Sequence, residues 1–165
     1  MAELEALVRK GVLIFAAASN AGGNASRGWP AKAPGVFCIH ATKENAKVDE
    51  DMNPLADGVL DNFATLGCEI DSFWGGKEVL ISGTSFATPM AAAIAANILE
   101  FARRKLDCEE DVEFRGYGPM RRLFRHYMTQ NDRDGAYHYI MPWKLWEDGR
   151  GDEQVKKCLE ECLLL

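Results

Sequence analysis

The chain lacks a basic, apolar leader: its first residues, Met1-Ala2-Glu3-Leu4-Glu5, are acidic where a secretory signal is positive. No uninterrupted run of the roughly 20 apolar residues of a membrane span stands out, so no membrane partner is expected. Positive charge is in deficit, with 19 Lys and Arg against 25 Asp and Glu and a net charge of -6. A nucleic-acid partner would need a dense basic surface, and none is expected. The cluster Arg121, Arg122 and Arg125 reads as one solvated helix face. Cysteine is sparse and scattered. Cys38, Cys68, Cys108, Cys158 and Cys162 make an odd set of five that fits no disulfide framework, which points to reduced thiols and an intracellular setting. The pair Cys158 and Cys162 lies at helical spacing, but no second pair completes a metal site. Repeats and low-complexity tracts are absent.

What is present is enough for one globular domain: 165 residues, 47% hydrophobic and 27% charged. A short helix over Glu3 to Lys10 ends at Gly11. Val12 to Ala18 is continuously apolar, as suits a central parallel strand covered on both faces. Ser19 to Pro34, rich in Gly, Asn, Ser and Pro, is loop. Further strands are expected over Gly35 to Ala41, irregularly between Asn62 and Trp74, and over Glu78 to Ser82, with a surface loop from Thr42 to Asp61. Thr84 to Lys105 is the clearest helix. Its alanines and its apolar residues all round predict burial in the middle of a domain. Amphipathic helices follow over Pro119 to Met128 and Asp152 to Leu164, with the aromatic stretch Tyr137, Tyr139, Trp143 and Trp146 between them. Strand, loop, strand, buried helix and helical tail give an α/β class.

Chemistry concentrates where the last strand meets that helix, in Gly83-Thr84-Ser85-Phe86-Ala87-Thr88-Pro89. A helix N-terminus collects unsatisfied N–H groups and the positive end of the helix dipole. A serine there can attack a carbonyl while its own N–H faces the oxygen that becomes negative. Pro89, four residues after Ser85, offers no N–H to the Ser85 carbonyl. The segment resembles, at all seven positions, the nucleophile signature of the subtilisin family of serine peptidases (Gly-Thr-Ser, a hydrophobic residue, Ala-Thr-Pro). Ala16-Ala17-Ala18-Ser19-Asn20-Ala21-Gly22 is similar to the family's Ala-Ala-Gly-Asn-x-Gly, with Ser19 in place of the glycine. Gly28-Trp29-Pro30-Ala31 resembles its Gly-Tyr-Pro segment, and Phe63-Ala64-Thr65-Leu66-Gly67 its Phe-Ser-x-x-Gly.

The resemblance covers residues 1–105 and implies the C-terminal part of a doubly wound, parallel subtilisin-like domain, with residues 106–165 as a helical extension. It implies peptide-bond hydrolysis through an acyl-enzyme on Ser85, oxyanion stabilisation by Asn20, and substrate contacts from Ser19, Gly28, Gly83 and Thr84. The partner would be a peptide or protein substrate; no cofactor or metal is expected, and no calcium ligand cluster is visible. The triad order Asp, His, Ser places both other members before the asparagine. The nineteen residues before Asn20 contain neither Asp nor His. His40, His126 and His138 lack the family's His-Gly-Thr context and read as packing or surface residues, as Asp61, Glu69 and Asp71 read as surface carboxylates. A serine hydroxyl without a positioned base is a poor nucleophile. This chain alone is therefore expected to be inactive. Either a missing N-terminal segment supplies Asp and His, or the chain is a subtilase remnant that serves as a binding module. Half a doubly wound domain would also leave apolar faces and a strand edge uncovered.

Overall fold

The computed structural model describes residues 2–23, 25–49, 51–131 and 136–164. In chain order the elements are α1 (Ala2–Arg9), β1 (Ile14–Ala17), β2 (Val36–Thr42), β3 (Phe63–Leu66), β4 (Ile70–Trp74), β5 (Lys77–Ile81), α2 (Thr84–Lys105), α3 (Cys108–Phe114), α4 (Tyr117–Tyr127), β6 (Thr129–Asn131), β7 (His138–Ile140), a 3₁₀ segment (Pro142–Gly149) and α5 (Asp152–Leu164). The main sheet runs β1-β2-β3-β7-β6. Its first four strands are parallel, and β6 closes the far edge antiparallel to β7.

Every residue of β2 is buried, which is why its sequence shows no alternation. Phe37, Ile39 and Ala41 face the larger core, which holds Ala87, Ala91, Ala95 and Ile98 of α2, Met120 and Phe124 of α4, and Leu159 of α5. Val36 and Cys38 join Ala16, Ala18, Ala31 and Ala33 in a second cluster, onto which Leu4 of α1 packs. The ring of Phe37 meets those of Phe63, Tyr117 and Phe124 at centroid distances of 5.8, 4.6 and 5.6 Å. The tail thus shares the core of the first hundred residues and returns β6 and β7 to their sheet.

Two expectations are corrected. The segment ahead of the nucleophile turn does not extend the main sheet. β4 and β5 form a separate antiparallel hairpin, turned at Gly75-Gly76, with Phe73, Trp74 and Leu80 exposed. And α2 is not buried all round. Ala87, Ala91, Ala95, Ile98 and Ala102 form its buried stripe, while Phe86, Pro89, Met90, Ala93 and Ala96 face outward. Composition cannot distinguish a helix covered on every side from one whose second apolar face is left open. By length and apolar content α2 could also cross a membrane, with a mean hydropathy of 1.3 over its best window, contrary to the reading of the bare sequence. Its buried stripe packs against β1, β2 and β3.

Candidate functional site

The site is built where the loop after β1 meets the first turn of α2. A helix begins with orphan N–H groups that need acceptors. Gly83, the N-cap, has no side chain to offer one, so Asn20 caps the helix from across the chain. Its Oδ1 accepts the Thr84 N–H at 2.9 Å and the Thr84 hydroxyl at 3.0 Å. Because an N–H can only donate, these contacts fix which end of the Asn20 amide faces Thr84. The Gly83 carbonyl accepts from Phe86 N at 3.0 Å and Ala87 N at 3.4 Å. Among the described residues neither the Ser85 N–H nor the Asn20 Nδ2 group has a hydrogen-bond partner. Asn20 Nδ2 stands 3.3 Å from where a Cβ on Gly83 would be. Two donors without a partner thus lie at the start of α2, the Ser85 N–H and Asn20 Nδ2, and both residues are exposed. Donors of this kind, fixed before a charge develops, stabilise an oxyanion without reorganising.

Thr84 and Gly83 are buried, Thr84 completely, and both donors of Thr84 are spent on Asn20. Gly28 donates its N–H to the Ala18 carbonyl at 2.8 Å. A Cβ on Gly28 would meet Ser19 Cβ at 3.8 Å, so Ser19 and Gly28 lie side by side at the end of β1. Trp29-Pro30 is a cis peptide. Ser19 keeps the backbone of a glycine, with φ of 120°, although it is not one. A side chain in that region costs of order 1 kcal/mol or more. Ser19→Gly is expected to raise unfolding stability by about 1 kcal/mol in urea melts; an unchanged midpoint would show that the serine sits there without strain.

No described side chain hydrogen-bonds the Ser85 hydroxyl. His40 is fully buried in β2, with Nε2 3.7 Å from Cys38 Sγ and its ring edge-on to Tyr137. His138, also buried, bonds Arg125 at 2.7 Å, and His126 is exposed on α4. Glu69 pairs with Lys43 in solvent and Asp71 is exposed. Asp61 departs from the surface expectation. Its side chain is largely buried and bridges Arg121 and Arg125 of α4. Arg27, which sequence reasoning passed over, donates to the carbonyl of Asp61 at 2.8 Å and to Asn62 Oδ1, anchoring the loop just ahead of Gly28. Its only sequence signal was a charged residue inside a Gly-rich loop.

All five cysteines are free. Burial pushes the Cys162 thiol up to about 12 and raises that of Cys158, so both are protonated. Among the described residues no group of three or more His, Cys, Asp or Glu could hold a metal.

The family model described as "Subtilase family" matches residues 2–139, past the limit at 105 read from motifs. Subtilisin-like protease het-Q2 of Podospora anserina is 26% identical over 166 residues, covering 90% of this chain and 45% of that protein. Subtilisin-like protease 3 of Pseudogymnoascus destructans is 42% identical over 96 residues, covering 56% of this chain and 23% of that protein. Among solved structures, the self-cleaved protease domain of PatA superposes with a TM-score of 0.67 at 21% identity, over 96% of this chain and 54% of that one. The chain thus spans about half, or less, of the proteins it matches. With the family model matching from α1 to β7 and the motif residues brought together at one turn, the chain belongs to the subtilase family.

Proposed function

We propose that this chain is the nucleophile-bearing part of a subtilisin-like serine endopeptidase. In this reading the Asp and His of its triad come from a segment outside these 165 residues. A base on that segment takes the Ser85 proton as Oγ attacks the scissile carbonyl carbon. The carbonyl oxygen becomes negative and lies between the Ser85 N–H and Asn20 Nδ2. The tetrahedral intermediate then expels the amine, which leaves with the proton held by the base. Water hydrolyses the resulting ester and restores the serine.

The observation that carries this reading is the pair of uncommitted donors beside an exposed serine hydroxyl. Two more features support the outside segment. β1 pairs with β2 alone, so among the described residues its other edge is open. The outward face of α2 near Ser85 carries Phe86 and Met90, 38% and 39% exposed, where a soluble helix normally presents polar groups. A peptide substrate agrees with the relatives' names and with the solved complex of the PatG macrocyclase with peptide.

One observation favours a second reading, a binding module descended from a protease: nothing in the described structure activates the Ser85 hydroxyl. A fluorophosphonate probe separates the two. In the longest natural form of the protein it is expected to label Ser85, with labelling abolished in Ser85→Ala. The 165-residue chain alone is expected to show no peptidase activity above background. A folded longer form that fails to label would select the binding module. Turnover by the short chain, lost in Ser85→Ala, would require a base within it.

A further inference from the structure

Gly67 lies just past β3, at a crossing of three elements. Its carbonyl accepts the Gly83 N–H at 2.8 Å. Its own N–H and that of Cys68 both donate to the Thr42 carbonyl at the end of β2, at 2.9 and 3.0 Å. A methyl group added at Gly67 would stand 2.7 Å from Ala41 Cβ, 2.8 Å from Ala87 Cβ and 3.0 Å from the Gly83 oxygen. Each of these atoms is backbone or fixed directly to it, so none can swing aside. Contacts between carbons closer than the roughly 3.5–4.0 Å optimum are repulsive and must be relieved by moving an element.

The neighbouring bonds show what would move. Thr65 Oγ1 donates to the Ala87 carbonyl at 2.8 Å, and the Glu69 N–H donates to Ser82 Oγ at 2.9 Å. Residues 65–69 therefore run beneath residues 82–87 and hold them at alternate positions: Thr65 to Ala87, Gly67 to Gly83, Glu69 to Ser82. The turn that carries Ser85 rests on this ledge, and Gly67 is its point of closest approach. The Asn20–Thr84 clamp begins one residue after Gly83, so a lifted turn would stretch it.

We infer that Gly67 is a positioning residue for Ser85: its missing side chain sets how closely the nucleophile turn seats on the sheet, and so holds the Ser85 N–H and Asn20 in register. This rests on the reading of those two groups as an oxyanion site. It differs from ordinary core packing in predicting a local effect. Thr65 and Gly67 were legible in sequence only as a fold motif, because their partners lie more than fifteen residues away.

Amide exchange of the 165-residue chain tests the inference without any need for activity. In Gly67→Ala, Thr84 N–H protection is expected to fall at least about tenfold relative to the α4 amides, which lie on none of the atoms the methyl strikes, and the Asn20 side-chain NH₂ resonances to shift. Adding Ala41→Gly and Ala87→Gly, which removes both carbons the new methyl strikes, is expected to restore both signals. In the longest natural form, Gly67→Ala is expected to lower kcat by roughly 10² with KM within about twofold, as expected for misplacement by an ångström or less. Should Gly67→Ala fail to fold, Ser82→Ala removes one of the three stitches without adding bulk and is expected to lower Thr84 protection about threefold. Equal losses at Thr84 and in α4, or no loss at Thr84 in either variant, would reduce Gly67 to a packing residue. The expected exchange pattern in a longer form that never labels at Ser85 would instead uphold the ledge and overturn the proteolytic reading.

Discussion

Asn20→Ala in the longest natural form is expected to lower turnover by roughly 10²–10³ with little change in KM. The size of that loss is subtilisin's own, carried over to this family member. Its direction follows from the geometry. Asn20 is exposed and its Nδ2 has no partner among the described residues, so in the proposed reaction it is open to donate to the carbonyl oxygen. An interaction made only after the carbonyl oxygen turns negative appears in kcat and leaves ground-state binding alone. Asn20 is also the cap of α2, and alanine removes that as well. Asn20→Asp separates the roles. Aspartate keeps an oxygen for the Thr84 N–H and hydroxyl, but puts a second, negative oxygen where the donor was. If Asn20 serves chiefly as a cap, Asn20→Asp retains most of the activity. If it serves the oxyanion, Asn20→Asp loses at least as much as Asn20→Ala while its melting temperature stays near that of the parent. A near-active Asn20→Asp enzyme would overturn the assignment.

The meeting of Asn20 with the first turn of α2, where Ser85 stands, could be read from sequence because Asn20 and Ser85 each sit at the end of a regular element. β1 delivers one and α2 begins with the other, and parallel strands place such ends on one edge of a sheet. Helix α2 likewise followed from alanine content and apolar spacing, with the same ends, Thr84 and Lys105. The hairpin β4–β5 was half legible. Its strands were expected, but their separation from the main sheet depends on the Gly75-Gly76 turn, where both residues have positive φ and make Trp74 and Lys77 direct neighbours. What stayed hidden depends on distant pairs. Asp61 looks like any surface carboxylate until α4 brings Arg121 and Arg125 to it from 60 and 64 residues away. The outward apolar face of α2 is the opposite case. Its sequence correctly states that the face is apolar and cannot state that none of the described residues covers it. On the proposed reading, that mismatch between a helix written for burial and a helix half exposed is where an outside segment would dock, beside the serine it would have to activate.

Acid is expected to unfold this chain earlier than its paired carboxylates alone would require, and His40 is the reason. The ring is 0% exposed in the middle of β2, between Cys38 and the edge-on ring of Tyr137. Burial first, and then the Arg27 guanidinium, hold its pKa down at about 3 from an ordinary 6.5. The folded state therefore keeps His40 neutral over a range in which the unfolded chain takes up a proton. Stability from this group is complete above pH 6.5, falls as pH drops below it, and stops falling near pH 3, where the folded ring is protonated too. The steepest loss is roughly 1.4 kcal/mol per pH unit, or about 2 kcal/mol by pH 5. Against the 5–15 kcal/mol typical of a domain, that is a large share. Carboxylates whose pKa is lowered on folding, such as Glu100 beside Arg103 and Arg104 and Asp57 beneath the Val59 and Leu60 amides, lose their contribution only below their ordinary values of 4.5 and 3.8. The interval between about pH 4.5 and 6.5 thus lies above both carboxylates, and substitution of His40 assigns the slope there to that ring. Urea unfolding of the parent is expected to show the slope there, and His40→Gln, neutral at every pH, is expected to flatten it whatever its stability at pH 7. Protonation would also set a second cation beside Arg27, whose bonds to Asp61 and Asn62 anchor the loop leading to Gly28. The first segment to open in acid should therefore be that loop, visible as early loss of protection at the Gly28 N–H; an identical slope in His40→Gln would remove His40 as the cause.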